Sequence, residues 1–404
     1  MVTDIDINFQ NGSCDYGAPK VRLTISDSIE LLNQEDWESV LADSNIFLSV
    51  PYLIALEQAM ESSMEFRYVI YYCEHYTPIG IAYFQVVDLV DTGSKYADAV
   101  RRLGSALGGR VASELKIRSL VNGNVFHCGE NGFKFSDKVS VEESLDLLES
   151  TADRLKQDGD LNSKVSIVVF KEFWPHHFEL SDNLVKKRYH MFRMDMNMML
   201  DVDPSWDSFE TYLQSLTSKA RTRVKAIAKR SKDLVFTDLD ASQIREQKQD
   251  LDRLFKDVLK NSSFTFGVLE MEAYALWKER LGDKLLFQVV HCDDQLVGFL
   301  SAFDCGDDLE VHYVGLDYNC NREIGLYQRM LVEFLKYAID KGFKRINYGR
   351  TAEQAKSSLG AVPVEMRLYT KHRNIIANRL ITPLMSSVTP NEFELRSPFK
   401  QVTV

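Results

Sequence analysis

Three side chains able to accept, relay or donate a proton, Glu310, His312 and Tyr313, fall within one β-patterned run, Leu309 to Gly315. A carboxylate, an imidazole and a phenol at that spacing suit general acid–base work. On a regular strand Glu310 and His312 alternate onto one face and Tyr313 onto the other, so either face is open to a cleft. Taken singly, each has a structural reading as an edge carboxylate, a core histidine or a packing aromatic. The run leads through Arg322-Glu323-Ile324-Gly325-Leu326-Tyr327 into a helix. A helix amino end offers unpaired N–H groups and a positive dipole, which together hold anionic oxygens such as those of a pyrophosphate. Val314 and Gly315 on the strand, the amides of Ile324, Gly325, Leu326 and Tyr327, and the charge of Arg322 are therefore the candidates for holding a cofactor. A plain strand-to-helix turn relieved by Gly325 explains the same residues without a ligand. The matching helix of the first half opens with Glu142 and Glu143, which would repel a phosphate, so a cofactor is expected only in the second half.

A second cluster is basic. Between Ser218 and Lys232 lie Lys219, Arg221, Arg223, Lys225, Lys229, Arg230 and Lys232 with no acid among them, in a chain of net charge −11. Guanidinium forks match phosphate geometry, and the block reads as a ligand or partner contact set against a solvated helix face. Lys219 and Arg221 are taken as substrate-binding, with Tyr348, Arg350 and Lys356 at a later strand end and loop. The overall negative charge disfavours broad non-specific attraction to nucleic acid or anionic membrane.

Other chemistries find little support. Cys14, Cys73, Cys128, Cys292, Cys305 and Cys320 contain no C-x-x-C pair and are expected to be reduced thiols. No H-E-x-x-H occurs, and His176-His177 is expected on an extended strand where the two side chains diverge, so no metal is predicted. The amino terminus lacks the basic start and apolar core of a secretory signal, and no apolar run is long enough to cross a bilayer. A soluble, cytoplasmic protein is the expectation.

The elements that must position these residues occur twice. Arg67–Cys73 and Ile79–Phe84 read as a hairpin, followed by a helix over 141–158 and a strand over 164–170. Leu285–Cys292 and Leu296–Phe303, joined by Asp293-Asp294-Gln295, repeat the hairpin, followed by a helix over 325–341 and a strand over 345–348. Leu326, Met330, Leu331, Phe334, Leu335, Ala338 and Ile339 form one apolar face, and Gly342 stops that helix. Asp201-Val202-Asp203-Pro204-Ser205 has boundary chemistry, and Met191–Met199 reads as one half-buried strand. At 404 residues the chain is predicted to hold two duplicated α/β (α+β) domains, 1–203 and 204–404, each a mixed, mostly antiparallel sheet flanked by helices.

Two such halves resemble tandem GNAT acyltransferases, in particular the Fem-type peptidoglycan aminoacyltransferase group. The resemblance is carried by Thr211–Arg221, with its Leu216-Thr217-Ser218-Lys219-Ala220-Arg221 pattern, and by Gly342–Thr351 followed by Lys356 and Leu359-Gly360-Ala361. It spans most of residues 35–375. It implies transfer of an acyl or aminoacyl group from a thioester or ester donor to an amine, with acyl-CoA as donor, no metal, and a small-molecule amine, cell-envelope or amino-sugar precursor as acceptor. GNAT enzymes hold acyl-CoA through Q/R-x-x-G-x-G/A, and this chain has Arg322-x-x-Gly325-x-Tyr327, with a bulky ring where close backbone approach calls for a small residue. Two alternatives follow, a non-catalytic module binding an anionic ligand and an aminoacyl-tRNA-dependent transferase. No stretch between Asp207 and Phe264 is long enough for the paired-helix arm that tRNA-using members carry.

Overall fold

A computed structural model describes residues 1–8, 20–42, 45–89, 117–157, 161, 165–193, 196–261, 267–379 and 393–400. Cys14, Asp158 and Lys164 lie outside them, and the five described cysteines form no disulfide. Among the described residues no helix is long and apolar enough to cross a membrane.

The chain forms two compact units, each discontinuous in sequence. The first comprises Met1–Met194, Ser263–Leu269 and Met366–Thr389, and the second Asp195–Ser262, Glu270–Glu365 and Pro390–Val404. These are not the two continuous pieces 1–203 and 204–404. The difference arises because strand pairing outranks chain order.

In the first unit the elements are β1 (Val2–Asn8), β2 (Lys20–Ser26), α1 (Gln34–Leu41), α2 (Val50–Met60), β3 (Glu65–Tyr72), β4 (Pro78–Leu89), β5 (Ile117–Asn122), β6 (Phe133–Phe135), α3 (Val141–Leu155), β7 (Ile167–Phe173) and β8 (His190–Arg193). Its sheet runs β1-β2-β3-β4-β5-β7, with β6 beside β4, and is extended by a strand from far downstream, Arg367–His372, lying between β7 and β8. The expected hairpin is β3/β4, and α3 starts where Ser140 and Glu143 form a reciprocal capping box. Leu145, Leu148, Ala152 and Leu155 bury one side of α3 in the core.

The second unit contains β9 (Asn197–Asp201), α4 (Phe209–Ser215), α5 (Ser218–Arg230), β10 (Leu234–Asp238), α6 (Ala241–Glu246), α7 (Lys248–Lys260), α8 (Glu272–Leu281), β11 (Leu285–Cys292), β12 (Gln295–Cys305), β13 (Asp308–Leu316), α9 (Tyr318–Ile324), α10 (Leu326–Lys341), β14 (Arg345–Asn347), α11 (Glu353–Ser357) and β15 (Val362–Val364). The sheet order is β10-β11-β12-β13-β14-β9-β15, and the strand over 367–372, now β16, returns to the first unit. The β11/β12 turn places Asp293 and Asp294 at φ 48° and 61°, the two positive angles a tight hairpin turn demands. The stretch Met191–Met199 is not one strand but two, β8 and β9, serving different sheets.

One face of the second sheet is covered by α4, α5 and α10. Leu326, Met330, Leu331, Phe334, Leu335, Ala338 and Ile339 are buried there with Val224, Leu300, Ala302, Val311 and Leu316. Each such side chain contributes about 1.5–3 kcal/mol relative to exposure. Gly342, at φ 76°, ends α10, with its N–H and that of Phe343 closing on the last carbonyls. The other face packs α7 and α8. A Cβ on Gly315 would stand 2.3 Å from the Phe299 ring and 2.9 Å from Cβ of Leu254, so the missing side chain is what lets α7 seat against β13.

His176 and His177 are not on an extended strand. They occupy a 3-10 turn, Pro175–His177, and their rings approach to 4.1 Å between centroids, so the divergence expected of them does not occur.

On β16, burial and the neighbouring Arg373 charge hold the His372 imidazole below its ordinary range, and Nδ1 accepts the Asn374 amide at 2.9 Å, which requires the lone pair. The folded state therefore binds this proton less readily than the unfolded chain. Its contribution is present above the unfolded value near pH 6.5 and is lost as pH falls through the lowered folded value. Urea unfolding compared at pH 7.5 and about 5.5 should show His372→Gln losing less stability over this window than the parent; an equal loss would remove His372 from the account.

Candidate active site

The second sheet forks. β13 pairs with β12 along its length but with β14 only through Asp308↔Arg345, Leu309↔Ile346 and Glu310↔Asn347. Beyond that point the chain after β14 stays with β9, since Tyr348 N donates to Met198 O at 2.9 Å and Met198 N to Gly349 O at 3.0 Å. Among the described residues, the edge of β13 from Val311 to Leu316 that faces away from β12 thus has no strand partner. A strand edge without a neighbouring strand is a template for an extended ligand. Glu310, 8% exposed, stands at the fork.

A bulge lies just beyond it. Ala302 opposes Val311 and Leu300 opposes Val314, so Ser301 alone faces both His312 and Tyr313. The extra residue resets the alternation. Tyr313 consequently shares the face of His312 and does not point to the opposite one: the two rings lie 4.4 Å apart, and Tyr313 packs 5.0 Å from Phe255 of α7. Val314 turns to the α10 side, packed on the core.

The bulge organises a hydrogen-bonded chain. Tyr274 of α8 has its hydroxyl 2.7 Å from His312 Nδ1 and 3.1 Å from Ser301 Oγ, and Ser301 Oγ donates to Tyr313 O at 2.7 Å. Burial pushes the Tyr274 hydroxyl well above its ordinary range, so it keeps its proton. Ser301 Oγ is thus placed between the Tyr274 hydroxyl, to which it donates, and Tyr313 O. The His312 imidazole is held among Tyr274, Trp277 and Phe303 at 5.4–5.9 Å. Tyr274 and Ser301 were not among the sequence candidates. The signal was faint, one serine within the apolar run Leu296–Phe303.

The expected anion cradle is built differently from a simple turn. The short helix α9 intervenes between β13 and α10, with Gly325 at φ 72° closing one helix and opening the next. Gly325 N donates to Asn321 O at 2.9 Å and Tyr327 N to Asn321 Oδ1 at 2.8 Å, so these two amides are engaged internally. Arg322 is exposed and braces α9 through Tyr318 O and Asn319 Oδ1. Leu326 is buried in the core, and Tyr327 is half-buried, with burial raising its hydroxyl above the ordinary range. The cation that reaches Gly325 is Arg230 of α5, whose Nη2 lies 3.3 Å from where a Cβ on Gly325 would stand.

Arg230 ends a stripe. Lys219, Arg223 and Arg230 recur at i, i+4 and i+11 on one flank of α5, all exposed, over about 16 Å. Among the described residues the ion pair on this helix is Lys225 to Glu210, at 3.8 Å. Arg221 lies on the other flank of the helix, half-buried.

The remaining substrate candidates hold the backbone that exits the fork. Tyr348 is buried and its hydroxyl donates to Leu331 O at 3.0 Å. Lys356, 3% exposed, donates to Gly349 O at 3.1 Å and Arg350 O at 2.6 Å. Gly349, Thr351 and Ala352 all have positive φ, and this strained exit is what those bonds secure.

Residues 218–357 match the family model for the acetyltransferase (GNAT) domain. Among curated proteins none matches the sequence. The fold is similar to that of L-PGS from Bacillus licheniformis, at 12% identity over 87% of this chain and 96% of that one, with a TM-score of 0.51. It is also similar to FemX, at 10% identity over 84% and 96% with a TM-score of 0.51, and to a tandem GNAT protein from the clavulanic acid biosynthesis pathway, at 9% over 88% and 99% with a TM-score of 0.50. At such identities the likeness is one of fold. The matched GNAT acetyltransferase domain falls almost wholly in the second unit, and the fold of the chain is similar to that of tandem GNAT proteins.

Proposed function

We propose that the second unit transfers an acyl or aminoacyl group from a thioester or ester donor onto an amine, and that the first unit holds no donor. The observation that carries this is the fork: a β13 edge without a neighbouring strand runs beside a base-capable imidazole and leads to a cationic helix amino end. A donor arm lying along Val311–Leu316 would complete the strand edge with its own amides, and its phosphates would reach Arg230 and the amino end of α10. The His312 imidazole takes the amine proton as nitrogen attacks the acyl carbon, with Glu310 at the mouth of the fork orienting the amine. The C–S or C–O bond to the donor then breaks, and the departing thiolate or alkoxide takes a proton to leave as free thiol or hydroxyl. Edge N–H groups face the developing oxyanion. Tyr313 walls the site, and Tyr274 and Ser301 act as positioning residues. Tyr348 and Lys356 shape the exit, leaving Arg350 to meet the acceptor. A cell-envelope or amino-sugar precursor is the acceptor class, supported by the resemblance to the Fem group.

The α5 stripe favours a second donor, an aminoacyl-tRNA, because exposed cations spread over about 16 Å match several phosphates of a strand better than one pyrophosphate. Amine-dependent release of free thiol from short acyl-CoAs, run beside deacylation of aminoacyl-tRNA, decides between the donors. Turnover with either supports the transferase. Ligand-induced thermal stabilisation without turnover by either would favour a non-catalytic binding module instead.

A further inference from the structure

We propose that Glu130, His176 and His177 form a site in the first unit for a divalent transition-metal ion of the zinc class. It is independent of the transferase reading.

The ligand set is assembled by two short segments. Pro175 opens the 3-10 turn that brings the His176 and His177 rings together, and Glu130 comes from the loop after β5. One ligand atom from each of the three residues lies within 4.8 Å of the other two. Zinc bound at about 2.0–2.1 Å in tetrahedral geometry separates its ligand atoms by roughly 3.3 Å. Closing the set therefore takes a shift of up to about 1.5 Å, which the exposed His176 ring can supply by rotating.

The carboxylate is already aimed. Glu130 Oε1 accepts the Trp174 amide at 2.6 Å, which turns Oε2 towards His177 Nδ1 at 2.7 Å. Such outer contacts are what fix the orientation of a metal ligand. The loop carrying Glu130 is itself pinned: Gly129 N donates to Glu172 Oε2 at 2.9 Å, Asn131 Nδ2 to Cys128 O at 2.7 Å, and Asn45 Nδ2 to Asn131 Oδ1 at 2.9 Å. A Cβ on Gly129 would come within 2.7 Å of the Trp174 ring, so loop and turn are closely packed.

Two imidazoles and one carboxylate suit zinc, cobalt or nickel and are poor for calcium or magnesium, which prefer oxygen cages. Three protein ligands leave a fourth position for water or another ligand. The plain alternative is that the His177–Glu130 hydrogen bond merely anchors the loop. That role has no use for His176, and the two readings part there.

The test is titration of the chelator-treated full-length chain with Zn²⁺ by calorimetry, and with Co²⁺ by visible absorption. One equivalent should bind, Zn²⁺ should raise Tm, and cobalt should show a tetrahedral ligand-field band. His176→Ala should weaken binding about 10-fold or more and abolish the Tm rise, while leaving the metal-free Tm unchanged. Glu130→Gln should weaken binding as well. Absence of binding by the parent chain, or binding that His176→Ala leaves intact, overturns the proposal.

Discussion

Replacing His312 by glutamine lowers kcat by about two to four orders of magnitude while donor KM changes little, the range expected when a positioned proton acceptor is removed. The expectation rests on the chain from Nδ1 through Tyr274 and Ser301 to the bulge carbonyl, which fixes the imidazole beside the fork. Tyr274→Phe tests the orientation separately. It removes the hydroxyl partner of Nδ1 but keeps the aromatic packing against Trp277, Phe287 and Phe299, so its loss should be smaller and should also fall on kcat. Steady-state thiol or tRNA release gives both numbers, with Tm as the control for folding. If His312→Gln retains kcat within about two-fold while Glu310→Gln falls by 100-fold or more, the proton goes to Glu310, and the imidazole is a structural member of the bulge.

The second large effect belongs to the flank of α5. Arg230→Glu places a carboxylate against the amino end of α10, exchanging an attraction for donor phosphate for a repulsion. A charged hydrogen bond is worth about 1.5–3 kcal/mol, so donor KM should rise about 10-fold or more, with kcat at saturation little altered. Lys219→Glu and Arg223→Glu separate the donors. If the donor is a tRNA, the three substitutions together flatten the salt dependence of binding by up to about three in the log–log slope, and each alone by about one. For a CoA-type donor only Arg230→Glu has a sizeable effect. A donor KM indifferent to Arg230→Glu would detach the basic helix from the site altogether.

Much of the frame was legible from residue order. The β11/β12 hairpin, the stripe of α10 and its glycine stop, the capped α3 and the repeated hairpin-helix-strand order all follow from local periodicity and turn chemistry, which neighbouring residues decide among themselves. Asp293-Asp294-Gln295 marked its turn, because two consecutive positive φ angles are needed there and aspartate tolerates them. The basic block was equally visible, though not which of its seven cations would meet the helix amino end.

Residue order alone thus settles the kind of element at each stretch and the repeated class of fold. The rest was settled by long-range packing. The bulge opposite Ser301, which moved Tyr313 to the face of His312, depends on how two strands fall into register, and no periodicity within either strand encodes that count. The splitting of Met191–Met199 between two sheets, and the placement of β16 in the first unit, are choices among distant hydrogen-bonding partners. The turn at Pro175 that gathers His176 and His177, and the approach of Arg230 to Gly325, likewise bring together groups that the chain keeps apart or points differently. Burial and backbone pairing reward long-range contacts only once the whole sheet exists, so the chemistry of the candidate site is a property of the assembled fold.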